Sequence, residues 1–592
     1  MSAANGPSAI PTPATPDVCT VKILMEGTEI SGAYHILSVL VAKEINRIPA
    51  ATLHIQDGEA SKATFEVSNT DLFIPGKKIE IKLGYRSQEE TVFKGIVVKH
   101  SLKLRKNSNL LIVECRDEAV KMTLTPINHY FTNQKDSDIA EEIIGKYGLQ
   151  KDVKPTTRPI KEIFQYDTTD WDFLMCRAEA NGQVVRVEDG KIFIAAPDVK
   201  QDPVLNVQYG ATLLEMDMEM DARFQNALLK TTAWNPATQK TIEAEAGKPA
   251  TTATGNLTPS ALANSIGMPT HILRHGGAVS QTELQAWADE RQLKNHLAKV
   301  RGRVKFQGFA EIKPGNLLEI GGIGERFEGK LFVSGVRHQV AAGNWETDVQ
   351  LGLSPEPFAK TADIHPLPAA GLVAPVAGLQ TGIVTQLEGD PEKQNRIKVR
   401  LSLTDAQAKG TWARIATLDA GKERGTFFRP DIGDEVIIGF INDDPNHAVM
   451  LGMCHSSNKP APEPLKNTNH QKGYWSRSKM KFTFDDEDKI MTLQTPKGNV
   501  IKLSEKDKGV TISDQNGNKI IMNNDGITIQ SIKDIVLKAT KDIKVEGTNL
   551  NLKAKGALKA EGSGSAEISS GATTTVKAGA TTIIKGGMVL IN

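Results

Sequence analysis

The end of the chain repeats a short pattern, and this repeat constrains the fold more than any other feature. From Ile535 to Asn592, pairs of apolar or small residues recur about every eight positions, and the two members of each pair stand two positions apart. This spacing places both side chains on one face of a β-strand. Gly or Lys-Asp between the pairs suits a tight corner. Each repeat therefore predicts one short strand followed by one corner.

A single repeat cannot form a domain, because it buries few side chains and leaves both strand edges unpaired. Stacking solves both problems in two ways: one chain winds three repeats per turn, or three chains each supply one face of a triangular prism. No longer period of about 24 residues is visible, which favours the prism. Apolar pairs kept in register argue against a disordered tail. The predicted core positions are Ile535, Leu537, Ile543, Val545, Leu550, Leu552, Leu558, Ile568, Val576 and Ile584.

Composition excludes several classes of protein. The 592 residues include 71 basic and 70 acidic ones, a balance that disfavours a nucleic-acid or membrane-surface protein. No segment approaches the roughly 18 apolar residues of a membrane span. The start, 1–17, is rich in Pro, Ala and Ser without an apolar core, so a flexible arm and no secretory signal is predicted. Four scattered cysteines without a paired spacing predict free thiols, and neither a metal site nor a cofactor is expected.

Two stretches between residues 18 and 360 share one plan of strands. Ile74-Pro75-Gly76 precedes a strand with Glu-Ile, and Lys313-Pro314-Gly315 precedes another such strand later in the chain. The strand that follows contains Gly95-Ile96 in the first stretch, which we match to Gly335-Val336 in the second. We interpret the plan as a duplicated β-barrel, although a Pro-Gly turn before a strand is common.

Helices are predicted between and within these stretches. Asp136 or Ser137 caps a helix whose Ile139, Ile143 and Ile144 share one face. Capping boxes open two more helices, Thr169 with Asp172 and Ser280 with Glu283. Trp171 and Trp287 are expected as packing anchors of these helices.

Residues 375–457 alternate in five short strands separated by Gly, Asp and Pro turns. This pattern is typical of an OB-type barrel. OB barrels often bind single-stranded nucleic acid, but this one has few aromatics, Trp412, Phe427, Phe428 and Phe440, and many acids. A structural collar is the favoured interpretation.

One stretch resembles a known family. Asp167-Thr168-Thr169-Asp170-Trp171-Asp172-Phe173-Leu174, followed by Arg177 to Gly182, is similar to the "DWDFL…AEANG" stretch of the VgrG and phage late-control-D family. The order and spacing of the 375–457 strands resemble the OB domain of the same family. The resemblance implies a trimeric hub in which two barrels per chain make a pseudo-sixfold ring against a hexameric inner tube.

Several features known in relatives of that family have no counterpart here. The interval between the OB region and the repeat is too short for a lysozyme domain, and no effector domain is expected after the repeat. No histidine follows His470, so a tip iron site of the His-x-His kind is not expected. We predict no catalytic, cofactor-binding or metal-binding residues, and a protein that is not an enzyme.

The predicted fold class is mainly β, with a duplicated β-barrel hub, an α/β insert, an OB-fold collar and a trimeric triangular β-helix needle. The predicted domains are an arm at 1–17, barrel one at 18–130, the insert at 131–210, barrel two at 211–360, a linker at 361–374, the collar at 375–457, a second linker at 458–479 and the spike at 480–592.

The predicted function is the structural spike of a contractile injection machine, whose shaft is driven through a membrane by sheath contraction. The resemblance implies a homotrimer, with a PAAR-type tip protein, a hexameric tube protein, baseplate proteins and effector cargo as partners, and no nucleic acid. The tip protein would dock on Met588, Val589, Leu590, Ile591 and Asn592. The protein would be made in the cytoplasm without a signal peptide and leave within the assembled particle. The alternatives are a trimeric adhesin or tail fibre and a single-chain β-helix enzyme that degrades polysaccharides.

Overall fold

The computed structural model describes residues 8–9, 18–106, 108–250, 252, 254–268 and 270–591. The fold is mainly β. The chain divides into two compact units, residues 1–379 with 439–449 and residues 380–438 with 450–592. None of the helices in the described ranges has the length and hydropathy needed to span a bilayer. The predicted arm lies outside the described residues except at its residues 8–9, which pair in parallel with Leu205–Asn206.

The first half of the hub region (residues 18–360) is a sheet with one buried face. A short strand, β1 Ser8–Ala9, precedes it and pairs with the second half of the hub. The strands of the first half are β2 Thr20–Met25, β3 Thr28–Glu29, β4 Ile36–Glu44, β5 Ala50–Gln56, β6 Lys78–Tyr85, β7 Gln88–Arg105 and β8 Ser108–Arg116. Alternate residues of β4, β5 and β6 are buried, as expected of strands with one face on a core. The pairing order across this half is β2-β6-β7-β8-β5-β4.

A segment of helices and short sheets follows. It comprises a 3-10 helix Glu118–Thr123, β9 Pro126–Lys135, α1 Asp136–Lys146, β10 Gln150–Val153, β11 Pro159–Thr169, α2 Asp170–Ala180, β12 Val184–Glu188 and β13 Lys191–Ala195. Thr169 caps α2 as predicted, accepting a hydrogen bond from the Asp172 amide. The predicted cap of α1 is wrong: Lys135 is its N-cap, and the Asp136 carboxylate instead accepts two hydrogen bonds from Arg177 at 2.7 and 2.9 Å.

The second half of the hub interrupts its sheet with helices of its own. Its elements are β14 Leu205–Gln208, β15 Leu213–Met220, β16 Leu228–Asn235, β17 Lys240–Glu245, α3 Pro259–Ser265, β18 Thr270–His275, α4 Gln281–Leu297, β19 Val300–Gln307, β20 Leu317–Gly321, β21 Gly329–Ala341 and β22 Asn344–Leu351. The range predicted as a plain barrel, 211–360, therefore holds a separate β17-β16-β18 sheet with α3 and α4. The capping box of Ser280 and Glu283 opens α4 as predicted.

The two halves of the hub have the same strand order. The second runs β14-β20-β21-β22-β19-β15, so each strand has a counterpart at the same place in the first half. The Pro-Gly turns match in detail: the amide of Gly76 donates to Val97 O, and that of Gly315 donates to Val333 O, each at 2.8 Å. Both glycines have a positive φ, 97° and 94°. The shared plan predicted from the sequence is therefore present in the structure.

These turns also correct the predicted match within the duplicated strands. Val97 corresponds to Val333, and a β-bulge follows each of them. Gly335 is consequently the counterpart of Lys99, and the match to Gly95 was four residues out of register. A two-residue Gly-Val motif was too short to fix the register without the hydrogen bonds of the turn.

The second unit begins with a closed barrel. Before it lie α5 Phe358–Thr361 and a 3-10 helix Pro368–Gly371. The barrel strands are β23 Gln380–Gln386, β24 Ile397–Leu401, β25 Thr411–Ile415, β28 Glu435–Phe440 and β29 Ala448–Met453, and a small hairpin joins β26 Ala420–Gly421 to β27 Arg424–Gly425. The strands pair in the order β23-β24-β25-β29-β28 and close a five-stranded barrel, as predicted for the OB region.

Candidate assembly interface

A seven-stranded antiparallel sheet follows the barrel, and we call it the shaft sheet (residues 471–530). Its strands are β30 Gln471–Trp475, β31 Lys481–Asp485, β32 Ile490–Gln494, β33 Val500–Ser504, β34 Gly509–Ser513, β35 Lys519–Asn523 and β36 Gly526–Gln530. Each strand pairs with the next along the chain. The predicted linker, 458–479, is wrong at its end because Gln471–Trp475 forms the first strand.

One face of the shaft sheet is apolar. Residues directly opposite each other in neighbouring strands share a face, so the strand register defines rows that cross the sheet. One row is Phe482, Leu493, Ile501, Ile512, Ile520 and Ile529. A parallel row is Phe484, Met491, Leu503, Val510, Met522 and Ile527. Between them, the opposite face carries Thr483, Thr492, Lys502, Thr511, Ile521 and Thr528.

The apolar rows lie open to solvent. None of their members is buried, and Leu493, Ile501 and Ile529 are 46%, 40% and 57% exposed. A contiguous apolar surface of this kind usually marks a place where another molecule binds. Because the exposed face is part of a regular sheet, the matching surface should be flat and apolar as well.

The segment that follows, residues 531–591, is exposed at every position from 532 to 591, and we call it the shaft repeat. Its predicted core positions are between 54% and 86% exposed: Ile535, Leu537, Ile543, Val545, Leu550, Leu552, Leu558, Ile568, Val576 and Ile584. The winding of one chain upon itself, one of the two architectures left open by the sequence, is not what the structure shows, because residues 531–591 form no strand pairs within the chain.

The exposed backbone of the shaft repeat matters as much as its side chains. Apolar residues placed every second position suit strands, and strands need hydrogen-bond partners for their amides and carbonyls. In the described range 532–591, these partners are not other strands of the same chain. The repeat therefore has both an unpaired edge and an uncovered apolar face.

The predicted tip residues are exposed at the end of the repeat. Met588, Leu590 and Ile591 are 79%, 83% and 83% exposed, and Val589 is 47% exposed. Asn592, the remaining predicted tip residue, lies outside the described residues. The tip is thus a short run of exposed apolar side chains.

Two contacts join the barrel region to the first hairpin of the shaft sheet, one at its first strand and one at the turn that follows. The rings of Phe428 and Tyr474 stack with centroids 5.2 Å apart. Beside them, Arg477 Nη1 donates to Asp431 Oδ1 at 3.1 Å. The stacking gives Phe428, one of the few aromatic residues of the OB region, a partner within the protein. Within the described ranges, no cluster of three or more His, Cys, Asp or Glu side chains could hold a metal ion.

Sequence reasoning found the repeat and predicts irregular strands over residues 480–529, but it missed the first strand and the common register of the shaft sheet. The turns that it predicts near Pro496, Asn516 and Asn524 are present in the structure. The signal it could have used is the apolar-x-apolar triplet, which occurs in each strand from β31 to β36. The irregular spacing of these triplets hid their common register.

The fold and these surfaces define a class: a multidomain β-protein with an OB barrel and an apolar shaft built to assemble with other chains. The chain belongs to the family described as the Alg8 N-terminal domain, whose model matches residues 15–342. Residues 380–455 match a second model, the type VI secretion system/phage-baseplate injector OB domain. The second match covers the closed barrel.

Curated relatives match a shorter stretch. The type VI secretion system spike proteins VgrG1b and VgrG1c of Pseudomonas aeruginosa are each 30% identical over 121 residues, which cover 19% of this chain and 16% of the relative. The chain thus spans about a sixth of the length of these relatives. They confirm the predicted resemblance to the VgrG family.

Solved structures that align with this chain include a phage tail protein and a VgrG complex. The 43 kDa tail protein of prophage MuSo2 from Shewanella oneidensis aligns with a TM-score of 0.45 and 12% identity, over 57% of this chain and 98% of that one. The half-lidded PdpA-VgrG complex of Francisella aligns with a TM-score of 0.38 and 10% identity, over 87% of this chain and 88% of that one.

Proposed function

We propose that this protein is the non-enzymatic central spike of a contractile injection machine and that it works as a homotrimer. The observation that carries the proposal is the shaft: a sheet with an uncovered apolar face, followed by a repeat without strand partners in its own chain. The match of residues 380–455 to an injector OB domain and the names of the curated spike relatives support it.

Three copies fit the shaft repeat better than two. A corner at the end of each repeat sends the chain in a new direction, and three equal corners close a triangle. Each repeat then stacks between repeats of the other two copies, which supply hydrogen bonds to both of its edges. In the shaft sheet, three apolar faces turned inward cover one another in the same way.

Burial of the apolar rows would drive this association. The two rows contain six residues each per copy, and seven of these twelve residues are between 38% and 71% exposed in the single chain. Removing such surface from water contributes about 1 kcal/mol per side chain, hence on the order of 10 kcal/mol per copy before the entropy of assembly is subtracted. This burial would favour association of the copies.

The shaft would act mechanically. Sheath contraction, supplied by other proteins, drives it through a membrane, and hydrogen bonds along three interwoven chains keep it from fraying. The OB barrel serves as the collar between hub and shaft. The hub would rest on a hexameric inner tube and contact baseplate proteins, and effector cargo would travel with the particle.

The exposed tip would dock a conical tip protein of the PAAR type. Met588, Val589, Leu590 and Ile591 are apolar and exposed, and Asn592 completes the segment. An exposed run of apolar side chains is prone to association with other surfaces. A tip protein would cover it.

The mass of the purified full chain in solution tests the proposal. We expect light scattering to give three times the chain mass of 64.2 kDa over a wide range of protein concentration. A stable monomer would contradict it. A dimer would be consistent with a shaft shared between chains but would exclude the triangular prism of three chains.

A further inference from the structure

The two halves of the hub are joined inside one chain by the edges of two strands. Residues Gly335–Ala341 of β21 pair antiparallel with Ser38–Glu44 of β4. In this joint, His338 lies opposite Val41 and Val340 lies opposite Val39, and all four are buried. The joint makes one continuous sheet of 14 strands from the two halves.

Each strand of this joint has a counterpart elsewhere in the hub. By strand order, β7 is the counterpart of β21, and β15 is the counterpart of β4. Matching bulges fix the equivalence residue by residue. A bulge lies between Ile36 and Ser38 on β4, and another lies between Leu213 and Glu215 on β15.

The counterpart edges are left open. In the described part of the chain, β15 pairs with β19 alone, and residues Lys99–Arg105 of β7 pair with β8 alone. Leu102 and Leu104 on β7 are 40% and 52% exposed, whereas their counterparts His338 and Val340 in the joint are buried. An open edge with exposed apolar side chains is suited to pairing with another strand.

Transferring the register of the joint to these edges brings complementary residues together. His338 opposite Val41 becomes Leu102 opposite Met218, and Val340 opposite Val39 becomes Leu104 opposite Met216. On the other face, the opposed pairs become Lys99 with Asp221, Ser101 with Glu219, Lys103 with Asp217, and Arg105 with Glu215. Three of these four pairs have opposite charges, and two of the three pairs on the first face are apolar, the third being His100 opposite Met220.

The charges of the neighbouring strands follow the same order. Arg303 on β19 donates to Asp348 on β22 at 2.9 Å and to Asp217 on β15 at 2.8 Å. These hydrogen bonds, with that to Asp217 first, raise the pKa of the Arg303 guanidinium. The charged residues of this face are therefore acidic on β22, basic on β19 and acidic on β15. A basic strand added beside β15 would continue this alternation.

We propose that copies of this chain join head to tail in the hub, with Lys99–Arg105 of one copy added antiparallel to the Glu215–Asp221 edge of the next, Lys103 opposite Asp217. This inference rests on the trimer of the proposed function and names the contact that closes its hub. Each copy offers one edge of each kind, so three copies leave no edge of either kind open.

Disulfide trapping tests the register. The full chain carries Lys103→Cys and Asp217→Cys, with the accessible Cys176 and Cys454 replaced by serine. Directly opposed strand positions lie within the Cα distance of about 4.4–6.8 Å that a disulfide needs. We expect mild oxidation to give covalent dimers and trimers on a non-reducing gel. The matched control, Lys103→Cys with Glu215→Cys, is displaced by two residues and should cross-link at least about tenfold more slowly.

A charge exchange gives a second readout that does not depend on cysteine chemistry. Asp217→Lys and Lys103→Asp should each lower the fraction of assembled hub, and the double exchange should restore it. Circular dichroism of each variant shows whether the chain is folded. A double exchange that is no better than either single variant would overturn the proposed register.

The mass of the double-cysteine variant separates this inference from the proposed function. A trimer that forms no cross-link, or forms it equally with the displaced control, overturns the hub joint and leaves the shaft-based trimer standing. A folded monomer overturns both. A trimer with the in-register cross-link alone is the expected result.

Discussion

The hub and the shaft use the same alternation of apolar and polar residues but satisfy it differently. In the hub, Leu53, Ile81 and Val304 are 0% exposed, and the strands that carry them are paired within the chain. In the shaft, Ile501 is 40% exposed and Ile568 is 86% exposed. The alternation of apolar and polar residues therefore predicts which face of a strand will be covered, but not whether the same chain or another chain covers it.

The hub contains strand edges of both kinds, covered and open. Its β21 and β4 edges are paired inside the chain, and the equivalent edges of β7 and β15 are open. One sequence thus contains a completed joint and the two separate sides of a similar one. The register of the completed joint therefore predicts which residues of the two open edges would face each other.

The largest effect is expected when the shaft repeat is removed. A chain ending at Gln530 keeps the hub, the barrel and the shaft sheet but loses the exposed repeat and the tip. We expect it to abolish delivery in a cell that carries the machine, with the hub still folded by circular dichroism. Delivery at the level of the full chain would show that the repeat is not the piercing part.

A charge placed in the apolar rows should be the next largest effect. Ile501→Asp puts one carboxylate from each of three copies into a shared core, at a cost of several kcal/mol per trimer, on the order of 5 or more. We expect the trimer to dissociate at micromolar concentration by light scattering. Thr511→Asp, on the opposite face of the same sheet, is the matched control and should leave the mass unchanged.

Truncation of a buried hub residue should lower the stability of the folded hub without changing the oligomeric state. Leu53→Ala removes a side chain that is 0% exposed, and such cavities cost about 2–5 kcal/mol. The shift in the hub's denaturation midpoint should be independent of protein concentration, because the core lies within one chain. A strong concentration dependence of that shift would break the contrast with the shaft.

A buried carboxyl in the hub should give the smallest effect and one that depends on pH. Burial raises the pKa of Glu290 on α4 to about 7. The folded chain therefore holds this proton more tightly than the unfolded chain, and the resulting stability is lost as pH rises from about 4.5 through 7. Glu290→Gln removes the titration and should be more stable than wild type at pH 8 by up to about 3 kcal/mol.

The measurement for Glu290→Gln is chemical denaturation at low and high pH. Near pH 4 the variant and the wild type should unfold at similar denaturant concentrations, and the difference should grow as pH rises. Glu311→Gln, an exposed glutamate in the same region, is the control and should show no such trend. Equal differences at both pH values would contradict the assignment.

Sequence reasoning succeeded where local signals fix the structure. The N-cap at Thr169, the capping box at Ser280 and the alternation of five strands in the OB barrel all depend on residues close together in the chain. The duplicated hub was also visible, because a Pro-Gly turn with a positive φ leaves a recognisable mark at Gly76 and Gly315.

It failed where the outcome depends on distant pairing. The register of Gly335 was misplaced by four residues because a two-residue Gly-Val motif does not fix a register without the hydrogen bonds of the preceding turn. The first strand of the shaft sheet, Gln471–Trp475, lacks apolar alternation and exists because β31 pairs with it. The open edges of β7 and β15 could not be recognised before their strand order was known.

Amide hydrogen exchange across residues 532–591 tests the central claim most directly, because it reports whether the backbone of the shaft repeat has partners in the assembled protein. We expect strong protection of these amides in the full chain, extending to hours, since hydrogen bonds to other copies would cover them. Exchange within seconds at protein concentrations where the hub is protected would contradict the account.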